Sequence, residues 1–213
     1  MHSNALEYVT RSRAVRNRTL LREKKFQQMM LRNLLLLMFL CVASCSPESI
    51  TSHSSSLKVH SMAQDHSVLT PRCTTVVCTE GFANEGDVWL TDIPLEQLTS
   101  GTFTSGQIIH LQVLWTPVAG KTPLVPTSTN LAIEYIIVSN GEVGVYGGGG
   151  FGWLSGTPET GMHVKIEDAT VAIEAQANGF TDLLTPATLV GTVSSVPDST
   201  IARQIATAAE LLR

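Results

Sequence analysis

Residues 131 to 146 constrain the fold more than any other stretch of the chain. Leu131, Ile133, Tyr135 and Ile137 alternate with Ala132, Glu134 and Ile136, and Asn140-Gly141 follows. Beyond it come Glu142, Val143, Gly144, Val145 and Tyr146. Alternation places every second side chain on one face of a strand. Asn-Gly between two such runs predicts a two-residue hairpin turn, because both turn residues must take positive φ. A lone hairpin is marginal in water, so the rest of the chain must extend the sheet.

The rest carries the same period. Residues 107–115 put Ile109, Leu111, Val113 and Trp115 on one face. Residues 163–167 and 171–174 also alternate, but Val164/Ile166 and Val171/Ile173 are out of phase. A turn or bulge near Asp168-Ala169 must reset the register. Residues 87–92 and 189–194 read as weaker strands. Helical signals are few. Residues 95–98 before Gly101, and 181–184 before Pro186, each suggest a single turn. Pro197-Asp198-Ser199 caps a helix over 199–212, on which Ile201, Ile205, Ala208 and Leu212 recur at helical spacing. The expected fold is all-β: an antiparallel β-sandwich or barrel-like sheet of about seven or eight strands with one C-terminal α-helix.

Charge is unevenly spread. Eight of the 14 Lys and Arg residues precede Leu34, whereas two of the 18 Asp and Glu residues do. From Leu34 onward the formal charge is therefore −10. Such a surface repels nucleic acid and anionic lipid, so no nucleic-acid partner is expected. The basic stretch lies before residue 34, and a true start at Met29 or Met30 would shorten it to an ordinary basic flank.

Residues 34–42 form an apolar run too short to span a membrane, which takes ~20 residues. Arg32 precedes it, and Val42-Ala43-Ser44-Cys45 closes it. A short apolar core with a basic flank and small residues at its end is a secretory signal. Within residues 32–46 the chain resembles bacterial lipoproteins, whose lipobox is an aliphatic residue, two small residues and a cysteine. The resemblance implies that Cys45 receives a diacylglyceryl group and becomes the mature N-terminus, anchoring the protein to a membrane through acyl chains. Cys41 lacks the pattern, because bulky Met38-Phe39-Leu40 precede it. Ser46 follows the cysteine where an aspartate would signal inner-membrane retention. By that resemblance the expected site is the outer membrane facing the periplasm. The domain plan is then a leader and signal peptide over 1–44, a flexible Ser/His-rich tether over 45–70, and one extracytoplasmic β domain over 71–213.

Export bears on the other two cysteines. In an oxidising compartment Cys73 and Cys78, with the spacing C-x4-C, are expected to form a disulfide. Metal binding would want a second cysteine pair or histidines at ligand spacing, and none stands near. His53, His60 and His66 read as spacer histidines of the tether. No metal and no cofactor is implied.

The most conspicuous motif is Tyr146-Gly147-Gly148-Gly149-Gly150-Phe151-Gly152-Trp153. Gly147, Gly149 and Gly152 satisfy G-x-G-x-x-G, but a dinucleotide site needs a helix to open there. Instead the chain continues as Trp153-Leu154-Ser155-Gly156-Thr157-Pro158, which is turn-like. Two readings remain. The glycines let the strand bulge or another backbone pack close. Alternatively they form a ligand loop, with bare backbone N–H groups at Gly148 and Gly149 beside the rings of Tyr146, Phe151 and Trp153. The long connection over 116–130 is a second candidate loop, in which Lys121 reads as a solvated lysine. No catalytic residue is assigned. There is no G-x-S-x-G elbow, and Ser105 and Ser155 are turn serines. His110 and His163 read as water-facing sheet histidines, and Glu167-Asp168 falls at the expected register break. The sequence therefore points to a lipid-anchored envelope protein with a binding or scaffolding β domain and a protein or glycan partner. The alternative is an exported hydrolase whose site is assembled only in the fold.

Overall fold

The computed structural model describes residues 53–63, 66–81, 83, 85–122 and 128–213. The signal segment and the Val42-Ala43-Ser44-Cys45 motif lie outside the described residues. Among the described residues nine strands occur, in the order β1 (Ser54–Ser61), β2 (Val68–Leu69), β3 (Thr75–Glu80), β4 (Gly86–Thr91), β5 (Gly106–Val113), β6 (Leu131–Ser139), β7 (Glu142–Thr157), β8 (Gly161–Gln176) and β9 (Ala187–Pro197). Helix α1 (Leu95–Ser100) joins β4 to β5, and α2 (Ser199–Leu212) closes the chain. No described helix is long and apolar enough to cross a membrane.

All nine strands belong to one sheet, ordered β2-β1-β9-β3-β4-β5-β6-β7-β8, and β8 also pairs with β9. The sheet thus returns on itself in the barrel-like form. Neighbours are antiparallel except for the short β3–β9 contact, where Val77 meets Val196 and Cys78 meets Pro197. The hairpin at Asn140-Gly141 is as the sequence requires, with φ of 55° and 82° and strands on either side.

Alternation then builds two cores. Side chains on the inner face, among them Leu57, Val88, Leu90, Ile109, Leu111, Ile133, Tyr135, Val164 and Val193, fill the interior. On the outer face Val77, Trp89, Ile108, Ile136 and Val145 pack under Ala202, Ile205, Ala208 and Ala209 of α2. The helix starts where expected: the Asp198 carboxylate accepts the N–H groups of Thr200 and Ile201 at 3.0 and 2.9 Å. Helix α1 ends on Gly101 at φ 65°, the left-handed position that favours glycine.

Four expectations need correction. The tether does not extend to residue 70: Ser54–Ser61 is β1, paired to β9 along its whole length, and Val68–Leu69 is β2. Its Leu57 and Val59 are fully buried. Serines at alternate exposed positions hid a strand that brings two apolar side chains to the core.

The disulfide is absent. Cys73 and Cys78 are both free. Thr75 to Cys78 is extended strand, three steps of ~3.3 Å, while a disulfide holds Cα atoms within ~7 Å. The Cys78 thiol points to the Pro158 carbonyl oxygen at 3.7 Å, and Cys73 lies near Asp92 instead. Burial, then the Asp92 charge, pushes the Cys73 thiol up to about 12, and burial raises that of Cys78 as well.

Residues 181–184 form no helical turn. The Asp182 side chain accepts the N–H groups of Leu184 and Thr185 at 2.9 and 3.1 Å, a local capture that competes with helix. Finally, residues 153–157 are not a turn, because β7 runs on through them to Thr157.

Candidate functional site: an aromatic and acidic cleft on the glycine-rich strand

The register break expected near Asp168-Ala169 is a bulge inside a single strand. Phe151 pairs with Asp168 and Gly152 with Ile166, so Glu167 is the extra residue on β8. The bulge turns the phase: Val164 and Ile166 face the interior before it, Ala169 and Val171 after it. It also swings the Glu167-Asp168 pair outward, where both are exposed.

The glycines opposite make the bend sterically open. A Cβ on Gly148 would fall on the Thr170 carbonyl oxygen, and one on Gly150 on that of Asp168. Strand β8 therefore crosses β7 more closely than any side chain permits. From Gly144 to Gly150 the β7 backbone is paired to β6 on one edge and to β8 on the other. Its N–H groups are engaged in the sheet, so the bare-backbone form of the ligand-loop reading does not hold. At Gly148 and Gly150 the missing Cβ makes room for the β8 backbone.

Asn130 locks the bend. It is fully buried, and its amide takes the Gly152 N–H on Oδ1 and gives Nδ2 to the Gly152 carbonyl, each at 2.9 Å. The same Nδ2 reaches the Trp115 carbonyl at 3.3 Å, and the Asn130 N–H donates to the Gly150 carbonyl. The β6–β7 ladder ends at Leu131 and Gly150, and this one side chain supplies to Gly152 the bonds that a further β6 residue would make. Asparagine offers both a donor and an acceptor in one plane, which is what a backbone amide offers.

Outside this bend lies a cleft of about 440 Å³. Gly149, Gly150, Phe151 and Trp153 form its β7 side, and Glu167 to Thr170 its β8 side. Ser128 and Thr129 close the rim. Phe151 and Trp153, two residues apart, project from the same face and are half-buried, their rings perpendicular with centroids 5.2 Å apart. Trp115 meets Phe151 from the other side at 6.3 Å, and its indole N–H donates to the Thr129 carbonyl. Lys165 holds Glu167 in an ion pair of 2.6 Å. Asp168 has no hydrogen-bond or ion-pair partner among the described residues.

Of the expected contact residues, Phe151, Trp153 and Gly149 line the cleft, while Gly148 does not. Tyr146 is excluded from it. Its ring is 1% exposed in the interior, near those of Tyr135 and Phe180, and its hydroxyl donates to Asp182 at 2.9 Å. Burial would raise the Asp182 carboxyl, but hydrogen bonds from Leu184, Thr185 and Tyr146 outweigh it and hold it below its ordinary value. Sequence reasoning marked the 116–130 connection as a candidate loop without singling out Ser128, Thr129 or Asn130, and it missed the cleft-lining position of Asp168. The phase slip was a legible sign of the bulge, but which strand lies opposite it was not.

The histidines also differ from expectation. His110 does not face open water. Its ring stacks on Trp89 across β4–β5, with centroids 3.8 Å apart and planes 5° apart. Its Nε2 lies 3.3 Å from an Asp87 carboxylate oxygen, out of line for a hydrogen bond, and neither atom has another partner. His163 is half-buried and shares a hydrogen bond of 2.9 Å with the Ser194 hydroxyl. Neither lines the cleft. Lys121 is exposed on a turn, its N–H bonded to the Val118 carbonyl. No family model, curated protein or solved structure matches the chain.

Proposed function

We propose that the protein is a lipoprotein of the cell envelope whose β domain captures a ligand in the cleft between β7 and β8. The cleft itself carries the binding part of this reading. Two half-buried aromatic rings and an unpaired carboxylate stand together on a rigid bend. Aromatic side chains beside a few polar groups in a concavity are how ligand sites are built. The anchoring part rests on the segment ending in Val42-Ala43-Ser44-Cys45 and on its resemblance to the lipobox. Two acyl chains hold a protein stably on a membrane, at ~0.8 kcal/mol per buried CH₂. Ser46 after the cysteine favours the periplasmic face of the outer membrane.

The hydrolase alternative draws less support from this cleft. Its Glu167 is occupied by Lys165, and no histidine lines it. The test is expression of the full chain in a bacterium, with Cys45→Ala and Trp153→Ala alongside. The wild type should fractionate with membranes and carry an acylated N-terminal cysteine. Cys45→Ala should lose both, and Trp153→Ala should keep the anchor but lose ligand capture. A soluble wild type with an unmodified N-terminus elsewhere overturns the anchoring.

A further inference from the structure

We infer that the cleft recognises an organic cation, an ammonium or guanidinium group, seated against the Phe151 and Trp153 rings and the Asp168 carboxylate. The inference deepens the binding reading above and rests on it. Its basis is the set of groups the cleft offers a ligand and the set it withholds.

The cleft withholds donors of positive charge. Its one neighbouring cation among the described residues, Lys165, is held by Glu167 at 2.6 Å. The β7 backbone N–H groups beside it are paired in the sheet. An anionic ligand would therefore face carboxylates with nothing to neutralise it. The groups on offer are acceptors and π faces. Asp168 is directly opposite Phe151 in the strand register, so its carboxylate stands beside that ring. Trp153 meets the same ring edge to face. A cation near an aromatic face is attracted by the ring quadrupole, more strongly as water is excluded. A carboxylate within reach adds a charge-assisted hydrogen bond. The surrounding charge from Leu34 onward, −10 in all, favours the approach of a cation over an anion or a neutral ligand. The bulge sets which carboxylate faces the ring: with Glu167 looped out of the ladder, Asp168 stands opposite Phe151.

The same group can come from a free amine or from a Lys or Arg side chain of a peptide. Binding is read by tryptophan fluorescence and calorimetry on the full chain in neutral detergent. The probes are arginine amide, a blocked Gly-Arg-Gly peptide, the citrulline form of that peptide, and a neutral oligosaccharide. The arginine peptide should bind at least tenfold tighter than its citrulline form. Binding of arginine amide as tight as that of the peptide assigns a free amine, and weaker binding assigns a peptide side chain. Asp168→Asn should weaken binding tenfold or more with no change in melting temperature, and Lys165→Met, which releases Glu167, should strengthen it. Equal affinity for the arginine and citrulline peptides, or an Asp168→Asn variant that binds as the wild type does, overturns the cation. If the oligosaccharide alone binds, and Trp153→Ala abolishes it, the cleft stands as the site and its ligand is neutral. If no probe binds, both readings fall.

Discussion

Gly148 shows how a single hydrogen in place of a side chain shapes this protein. The Thr170 carbonyl oxygen occupies the space a Cβ would need. Backbone cannot swing aside as a flexible side chain can, so Gly148→Ala should cost about 1–3 kcal/mol, the usual penalty for overpacking. Denaturant unfolding of the domain measures this, and an unchanged midpoint would show that β8 can shift outward freely. Asn130 acts at the same scale by the opposite means. There a side chain stands in for the β6 backbone partner that Gly152 lacks beyond the end of the β6–β7 ladder. Asp182 does likewise for Leu184 and Thr185 while also holding the Tyr146 hydroxyl. None of these three roles is visible in composition, because each depends on which backbone group lies close by in space.

At the scale of elements, β1 matters most for where the domain begins. Its Leu57 and Val59 are fully buried, and each such side chain contributes roughly 1.5–3 kcal/mol. A chain beginning at residue 62 would lose both and leave the β9 edge without its partner from Ala187 to Ser194. Against a total stability of roughly 5–15 kcal/mol, that loss is large. Truncation to residue 62 should abolish cooperative thermal unfolding, whereas a chain beginning at residue 48 should retain it. Cooperative unfolding without β1 would mean that the strand is an addition to the barrel. Strand β8 illustrates a different point. Its change of phase was readable from Val164/Ile166 against Val171/Ile173, yet a turn and a bulge explain it equally. Pairing with both β7 and β9 across the break decides for the bulge.

For the whole molecule, closure of the sheet takes over the stabilising role expected of a cross-link. Two apolar layers, one inside the barrel and one beneath α2, share strands β3 to β7 as a common wall. Both cysteines serve as small apolar side chains of that structure, and burial keeps their thiols protonated and unreactive. Adding a reductant should therefore leave the melting temperature unchanged. A disulfide closing so short a ring contributes ~2 kcal/mol, enough to move it by several degrees. A fall on reduction would restore the cross-link.

The sequence by itself determined the local chemistry: the Asn140-Gly141 turn, the Asp198 cap and its helix, the alternation of the central strands, and the phase slip in β8. Each depends on residues within a few positions of one another, where turn sterics and side-chain period suffice. Tertiary structure alone decided that residues 54–61 pair with β9, that Tyr146 faces inward while Phe151 and Trp153 face outward, and that Asp168 meets Phe151. Those outcomes join positions far apart in the chain, 17 residues for Phe151 with Asp168 and 140 for Ser54 with Ser194. Strand register and sheet closure, rather than any local preference, select among such pairings.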